Sequence, residues 1–547
     1  MRTPLRLALV LLAALLHGCG GHNTESWSGV GGAAPPPPPM APSAPPPPVM
    51  PAPMSAPAPG IAADSAFDAE EYALVRENPF RDPSLHPLST FGIDVDPASY
   101  ANVRRFLSEG RLPPRDAVRI EELVNYFDYD YPSPAGEHPF SVTTEVAPAP
   151  WNPAHRLVHV GLQGRRVAEE DLPPANLVFL LDVSGSMADH DKLPLVKTAL
   201  RMLVERLREE DRVAIVVYAG AAGLVLPSTS GANRGAILEA LEKLDAGGST
   251  AGGQGIRLAY RVARESFRQG GNNRVILATD GDFNVGASSE AELVRMIEQE
   301  RADGIALSVL GFGTGNVKDA RMEQLANRGN GNYAYIDGAQ EARKVLVEEM
   351  GGTLLTIAKD VKVQVEFNPA AVQAYRLIGY ENRLLAAEDF ADDTRDAGEL
   401  GAGHSVTALY EVVPVGAPSP ARGADRLRYQ QNLPTRHAAA GGELLHVKLR
   451  YQPPEGGASR LMEQPVHDRA TAAAASADFR FAAAVAEWGL LLRDSEFRAQ
   501  ASHEQVLDLA RGALGDDPHG YRREFVKLVE DSRRIAAVAG DRTGNRE

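Results

Sequence analysis

The sequence predicts an α/β protein centred on a doubly wound, mostly parallel sheet, flanked by a β-rich module and a C-terminal helical segment. Between residues 176 and 345, short apolar runs alternate with stretches of helical periodicity, which is typical of parallel strands covered by helices. From Leu193 to Leu207, and again from Ile256 to Phe267, apolar residues recur three and four apart, so each helix can pack one face on the sheet. The four predicted strands are Leu177–Leu181, Val213–Tyr218, Val275–Ala278 and Ile305–Leu310.

Composition narrows the class of protein. The chain has 547 residues, of which 44% are hydrophobic and 23% charged, and this excludes a fibrous or wholly disordered protein. Acidic residues outnumber basic ones by 72 to 56, which gives a formal net charge of −16. No run of lysines or arginines is dense enough to neutralise neighbouring phosphates, so we expect no nucleic-acid partner.

The N-terminus has the features of a secretory signal. Arg2 and Arg6 precede the apolar run Leu7–Leu16, which is too short to span a bilayer but suits an export signal. The run ends in Leu-His-Gly-Cys, which resembles the bacterial lipobox, with Cys19 as the residue that is lipidated. The alternative is an ordinary signal peptide with an incidental thiol. In lipoproteins, an aspartate after the cysteine is associated with inner-membrane retention, so Gly20 favours the outer membrane of a Gram-negative bacterium, facing the periplasm or the exterior.

A proline-rich segment follows the signal. From residue 33 to 60 the chain is almost entirely proline, alanine, serine and methionine, which is typical of a semi-rigid extended stalk of about 3 Å per residue. We therefore divide the sequence into a signal peptide, a stalk, an N-terminal extension, the α/β domain and a C-terminal domain of strands followed by helices. The predicted limits are 1–18, 19–75, 76–172, 173–358 and 359–547.

Oxygen-bearing side chains follow the strands of the predicted sheet. In parallel α/β sheets, ligands bind outside the carboxyl ends of the strands. The first run ends in Asp182-Val-Ser184-Gly-Ser186, the third ends before Asp280, and a Gly-Gly-Ser-Thr stretch ending at Thr250 precedes a helix. Hydroxyl and carboxylate oxygens converging on one point can hold Mg²⁺, which demands about six oxygen ligands.

These residues resemble the metal-ion-dependent adhesion site of a von Willebrand factor A domain. The resemblance implies that Ser184 and Ser186 ligate the metal directly and that Thr250 does so directly or through water. Asp182 and Asp280 would act largely through water, leaving one position open for a carboxylate of a protein partner. The expected cation is Mg²⁺, with Mn²⁺ or Ca²⁺ as alternatives.

The flanks carry a more specific resemblance. The stretches around Asn78-Pro-Phe, Ser99–Leu107 and Arg119–Phe127 resemble the N-terminal extension of bacterial YfbK-like von Willebrand A lipoproteins, and the tail from Phe479 to Phe525 resembles their C-terminal domain of unknown function. The resemblance implies an architecture but no known biochemical activity.

The flanking residues also suggest a shared module. Alternating polarity predicts strands at Ser141–Val146, Leu157–Gln163, Val361–Phe367 and Leu444–Gln452. One economical arrangement is a β-rich module built from both flanks, with the α/β domain inserted. Residues 471–539 are alanine-rich and predict a helical cap.

Two other groups of residues, one aromatic and one acidic, could serve either ligand binding or structure. Tyr126, Phe127, Tyr129 and Tyr131 could bind a carbohydrate or a basic peptide, or could pack at a domain junction. We assign the Asp94-Val-Asp96 pair to capping and structure, because no calcium-loop spacing follows it.

The sequence matches none of the catalytic or cofactor-binding motifs considered below. No serine lies in a Gly-x-Ser-x-Gly elbow, and His503-Glu504 lacks the second histidine of a zinc-protease motif, because position 507 is leucine. The Gly311–Asn316 stretch lacks the last glycine of a dinucleotide-binding loop. We therefore expect no catalytic residue and no enzymatic activity.

Two functions remain open. The first is a lipid-anchored envelope protein whose α/β domain binds a divalent cation and mediates metal-dependent protein–protein interaction, with an unknown partner that offers an acidic residue. The second is a structural or assembly factor of the envelope in which the metal only stabilises the fold.

Overall fold

The computed structural model of the chain describes residues 70–249, 252–281, 283, 290–315, 317–419, 435, 438, 442–468 and 475–544. Cys19, the predicted signal and stalk up to residue 69, and Thr250 lie outside these residues. Within the described ranges, no helix has the length and apolar character needed to cross a membrane.

Between residue 70 and the central domain, the structure has three strands and two α-helices. They are β1 (Leu88–Gly92), α1 (Ala98–Ser108), α2 (Ile120–Asn125), β2 (Phe140–Ala149) and β3 (Asn152–Gly164). Helix α1 is buried along nearly its whole length because it packs on both sides. Ala98 and Ala101 join the core on one face of the central sheet, whereas Tyr100 and Val103 join the core of the C-terminal helices.

The central domain is the predicted α/β domain. Its strands are β4 (Ala175–Asp182), β5 (Arg212–Tyr218), β6 (Ala222–Ser230), β7 (Asn272–Thr279), β8 (Ile305–Phe312) and β9 (Tyr333–Ile336). Its helices are α3 (Leu193–Arg206), α4 (Arg234–Glu242), α5 (Gly252–Glu265), α6 (Glu290–Ala302), α7 (Asp319–Arg328), α8 (Ala339–Arg343) and α9 (Met350–Leu354), with one π-helical turn (Lys344–Glu348) between the last two.

The central sheet confirms the predicted fold class. Its strand order is β6-β5-β4-β7-β8-β9, and all neighbours are parallel except the antiparallel pair β5 and β6. Strand β4 is buried at every residue, as expected for a strand in the middle of a sheet that is covered on both faces. One face packs against residues of α3, α4 and α8, and the other against residues of α5, α6 and α7.

After the central domain, the described residues form seven strands and three α-helices. The strands are β10 (Thr356–Phe367), β11 (Val372–Ile378), β12 (Leu384–Leu385), β13 (Gly398–Gly401), β14 (Ser405–Pro414), β15 (Glu443–Gln452) and β16 (Arg460–His467). The helices are α10 (Ala477–Leu492), α11 (His503–Arg511) and α12 (Tyr521–Gly544).

A β-sandwich is formed by both flanks of the central domain. Strand β1 pairs with β10, and β3 pairs with β14, so residues before and after the central domain share sheets. One sheet has the order β12-β1-β10-β15-β16, with β13 also paired to β10, and the other has the order β11-β14-β3-β2. Apolar residues such as Val160 and Val365 form the common core. The central domain is therefore inserted into a module made from both flanks, while the predicted domain limits stay predictions.

The C-terminal helices cover the outer face of the four-stranded sheet. The Ser476 hydroxyl accepts a hydrogen bond from the Phe479 backbone N–H and caps the start of α10. Trp488 is fully buried, and its indole N–H donates to the Ser532 hydroxyl of α12 at 3.0 Å. Leu157 of β3 belongs to the same core, so the helices and the sheet are one packed unit.

Candidate metal site

The loop after β4 places one carboxylate and two hydroxyls together. Asp182 ends the strand and is 1% exposed, and its Oδ1 accepts a hydrogen bond from the Ser184 backbone N–H at 2.9 Å. This local bond turns the chain back across the end of the strand. Ser184 is buried whereas Ser186 is exposed, and their Oγ atoms lie 3.1 Å apart. The predicted Asp-x-Ser-x-Ser oxygens therefore converge at the carboxyl edge of the sheet.

A second loop is joined to the first by backbone hydrogen bonds. The Gly185 N–H donates to the Gly248 carbonyl at 3.0 Å, and the Gly247 N–H donates to the Val183 carbonyl at 2.8 Å. Gly248 has φ of +85°, a left-handed conformation that glycine adopts without strain. These bonds bring the Gly-Gly-Ser stretch to the rim, and Thr250, which follows it, lies outside the described residues.

The second carboxylate comes from the neighbouring strand. Strands β4 and β7 are parallel neighbours, with Leu181 opposite Ala278, so Asp182 and Asp280 leave the sheet at the same edge. Asp280 is 1% exposed. Burial, and to a smaller extent the Asp280 carboxylate, raise the pKa of Asp182 above its ordinary value. The structure thus brings Asp182, Ser184, Ser186 and Asp280 to the same edge of the sheet, and their role as metal ligands stays a prediction.

Sequence reasoning missed one charged residue at this rim. Lys192, which is 5% exposed, donates from Nζ to Asp280 Oδ2 at 3.0 Å. Its only signal in the sequence was its place after the loop Asp189-His190-Asp191 and directly before the apolar face of α3. Because the partner carboxylate lies 88 residues further along the chain, no local pattern could reveal the pair.

The residues at the rim fit a divalent cation. The donors are hydroxyl and carboxylate oxygens, which are the ligands that Mg²⁺ and Ca²⁺ prefer. The Lys192 ammonium group pairs with Asp280, and Asp182 is the second buried carboxylate, so these three groups carry a net charge of −1 when all are ionised. A cation at this edge would offset that charge and would also give the hydroxyl oxygens of Ser184 and Ser186 a positively charged partner.

A second acidic cluster lies away from this rim. Carboxylate oxygens of Asp94, Glu122 and Glu323 lie within 4.8 Å of one another. Arginines hold these carboxylates: Arg383 Nε donates to Asp94 at 3.0 Å, and Arg119 pairs with both glutamates. The cluster is a buried ion-pair network between α2, α7 and the sandwich, in agreement with a structural role for Asp94.

The aromatic cluster after α2 is part of a core. Tyr126, Phe127, Tyr129 and Tyr131 are between 1% and 6% exposed and pack among the C-terminal helices. Leu507, which takes the place of the second zinc-protease histidine, is buried in the same core. These positions favour packing at a junction over ligand binding.

Comparison with protein families and known relatives covers nearly the whole described chain. Residues 66–159 match the family model described as von Willebrand factor, residues 176–348 match the von Willebrand factor type A domain, and residues 352–535 match the C-terminal region of uncharacterized protein YfbK. Domains of type A commonly bind a divalent metal and often mediate protein–protein interaction.

Among relatives, the chain is 46% identical over 479 residues to uncharacterized protein YfbK of Escherichia coli, covering 86% of this chain and 81% of that protein. It is 29% identical over 202 residues to human inter-alpha-trypsin inhibitor heavy chain H3, covering 35% of this chain and 22% of that one. A solved von Willebrand factor type A structure from Catenulispora acidiphila is 18% identical, with a TM-score of 0.37, and the match covers 72% of this chain and 92% of that one. The similarity to the Escherichia coli protein extends over most of both chains, and the chain belongs to the YfbK family of proteins with a von Willebrand factor type A domain.

Proposed function

We propose that this protein is a non-enzymatic, lipid-anchored envelope protein whose type A domain binds a divalent cation and captures an acidic side chain of a protein partner. The observation that carries the proposal is the pair of serine hydroxyls, Ser184 and Ser186, 3.1 Å apart beside the buried carboxylates of Asp182 and Asp280. Thr250 is the fifth proposed ligand residue.

Each residue has a distinct task at the metal. Ser184 and Ser186 would hold the cation directly, and Asp182 and Asp280 would balance its charge and orient bound water. The cation, which we propose is Mg²⁺, supplies a Lewis-acidic position that attracts a carboxylate. Because Ser186 is exposed while Asp182 is buried, the protein groups would lie on the inner side of the cation, and the partner carboxylate would reach it from the solvent side.

The anchoring proposal rests on the N-terminal sequence. Lipidation at Cys19, followed by a proline-rich stalk, would hold the folded part away from the outer membrane. Mass spectrometry of the mature N-terminus tests it: we expect a diacylated or triacylated Cys19, and an unmodified or differently cleaved N-terminus would refute this part of the proposal.

Metal-dependent capture is tested with one variant and a matched control. Full-length protein in detergent is used to capture partners from an envelope extract in Mg²⁺ and in EDTA, alongside Asp182→Ala and Asp189→Ala. Asp189 is an exposed aspartate in the same loop, so its substitution removes the same charge without touching the buried site. We expect a partner retained by the wild type and by Asp189→Ala in Mg²⁺ only, and lost by Asp182→Ala. The same partners in every lane would contradict the proposal.

A second function is favoured by the burial of the carboxylates. Because Asp182 and Asp280 are both 1% exposed, a cation that neutralises them would also stabilise the fold. If the metal served only this structural purpose, the protein would act in envelope assembly through its flanking modules. In that case Asp182→Ala would lower the melting temperature and leave partner association intact.

A further inference from the structure

Lys192 lies inside the wall of the candidate metal site and not on the surface. Its side chain is 6% exposed, and the side chain of its partner Asp280 is 1% exposed. Lysine side chains are rarely buried this fully, because the ammonium group loses its hydration. A buried ammonium at the edge of a cation site therefore requires an explanation.

The stem of Lys192 is held by the loop after β8. A Cβ atom added to Gly313 would lie 2.4 Å from Lys192 Cγ and 2.6 Å from Cε, so the stem lies directly against this glycine. Gly313 has φ of +75°, and its carbonyl accepts a hydrogen bond from the Tyr335 hydroxyl at 2.7 Å. The loop is thus fixed in a shape that leaves space for the lysine stem, and the stem cannot move freely.

The ammonium group approaches Asp280 and not the serines. Nζ donates to Asp280 Oδ2 at 3.0 Å, and within the described residues it forms no hydrogen bond with Ser184 or Ser186. The two hydroxyls proposed to hold the cation are therefore not occupied by the lysine. Lys192 can stay on Asp280 whether or not the cation is bound.

We propose that Lys192 is a fixed positive charge that sets the charge of the metal centre and positions Asp280. The inference rests on the proposed binding of a divalent cation. Without a cation, Asp182, Asp280 and Lys192 carry a net charge of −1, and with one they carry +1. The lysine weakens cation binding by direct repulsion, and it leaves the loaded site with one positive charge, which suits one carboxylate of a partner.

The test measures Mg²⁺ binding to the full chain in detergent by titration calorimetry. Lys192→Met keeps the length of the stem but removes the charge, and Lys192→Arg keeps the charge. Lys197→Met removes one charge from α3, the helix that begins directly after Lys192, and Lys197 Nζ donates to the Glu242 carbonyl and not to the rim. We expect Lys192→Met to bind Mg²⁺ about tenfold more tightly than the wild type. Lys192→Arg and Lys197→Met should stay within about twofold of it.

A melting experiment covers the case in which Lys192→Met is less stable. Asp280 loses its ammonium partner in this variant, so saturating Mg²⁺ should raise its melting temperature by more than it raises that of the wild type. A rise equal to or smaller than the wild-type rise would overturn the proposal, as would unchanged or weaker Mg²⁺ affinity.

The outcomes also separate this inference from the proposed function. Mg²⁺ binding to Lys192→Met without binding to the wild type would support the fixed charge and refute a metal in the native protein. No binding by either protein would refute both, and equal binding by both would refute the fixed charge alone.

Discussion

Replacing Arg104 by methionine should destabilise the protein strongly, because this side chain joins three parts of the chain. From α1, its guanidinium contacts Asp337 at 2.5 Å and Glu341 at 2.7 Å in the central domain, and Glu524 at 3.1 Å in α12. The Arg104 side chain is 10% exposed and that of Glu341 is fully buried. Removal of the arginine leaves three carboxylates close together without their shared cation.

The expected loss follows from this burial. Breaking a buried ion pair by removing one partner costs about 3–5 kcal/mol, whereas an exposed pair contributes about 0–1 kcal/mol. Burial already raises the pKa of Glu341, and the loss of Arg104 should raise it further. The destabilisation should therefore be largest near pH 7 and smaller near pH 5, where the carboxylates bind protons more readily.

Urea unfolding followed by tryptophan fluorescence measures this effect. Trp151 and Trp488 are fully buried in the core of the C-terminal helices, so their emission reports the unfolding of the part that Glu524 belongs to. The matched control is Arg111→Met, since the Arg111 side chain is 41% exposed and its ion pair with Glu109 joins two residues that are close in sequence. A free energy of unfolding for the Arg104 variant within 1 kcal/mol of the wild type would refute the reasoning.

Three further substitutions test other parts of the structure. Burial raises the pKa of Glu487 to about 7, so the stabilisation from the protonated carboxyl is complete below about pH 4.5 and is lost as the pH rises to about 7. Glu487→Gln should raise the free energy of unfolding by about 1–3 kcal/mol at pH 8 and change it little at pH 4, as measured by urea titrations at both pH values. Burial raises the pKa of Glu411, but the hydrogen bond from His155 and the charge of Arg376 lower it more, so the pKa lies below its ordinary value. Glu411→Gln should lower the free energy of unfolding by about 3 kcal/mol at pH 7 and by less below pH 4. An equal loss at both pH values would contradict this prediction. Gly313→Ala should lower the melting temperature and reduce the free energy of unfolding by about 1–2 kcal/mol or more, because residue 313 has a left-handed backbone and its new Cβ would clash with the Lys192 side chain. An unchanged melting temperature would show that the loop is not rigid.

The sequence predicted those parts of the fold that depend on local patterns. Strands β4 and β7 each contain a continuous apolar run, and the rule that ligands bind at the carboxyl ends of parallel strands was enough to predict that Asp182 and Asp280 lie at the same edge. In contrast, β6 was not predicted, because Ala222–Ser230 mixes small, polar and apolar residues at a half-exposed edge and contains Pro227. No apolar run marks such a strand, and its antiparallel direction is set by its pairing with β5.

Contacts between distant segments could not be predicted from the sequence. The partner of Lys192 is 88 positions away and one partner of Arg104 is 420 positions away, so no local pattern marks either residue as part of an ion pair. Such residues are charged for reasons that only the packed structure supplies. The residues most difficult to predict are therefore those whose partners lie on distant segments, such as Lys192 at the candidate metal site and Arg104 between the central domain and its flanks.

The insertion of the central domain between β3 and β10 has a consequence for the order of folding. Gln163 of β3 pairs with Ser405 of β14, so the sandwich cannot close until the whole intervening chain has been made and its ends have met. An unfolded insertion of this length imposes a large loop-closure entropy, whereas a folded one presents its two ends at a set distance. The central domain, whose strands and helices are contiguous in sequence, should thus fold first and serve as the template on which the two sheets assemble. A substitution that prevents the central domain from folding should hinder the pairing of β1 with β10 and of β3 with β14, which join the two flanks.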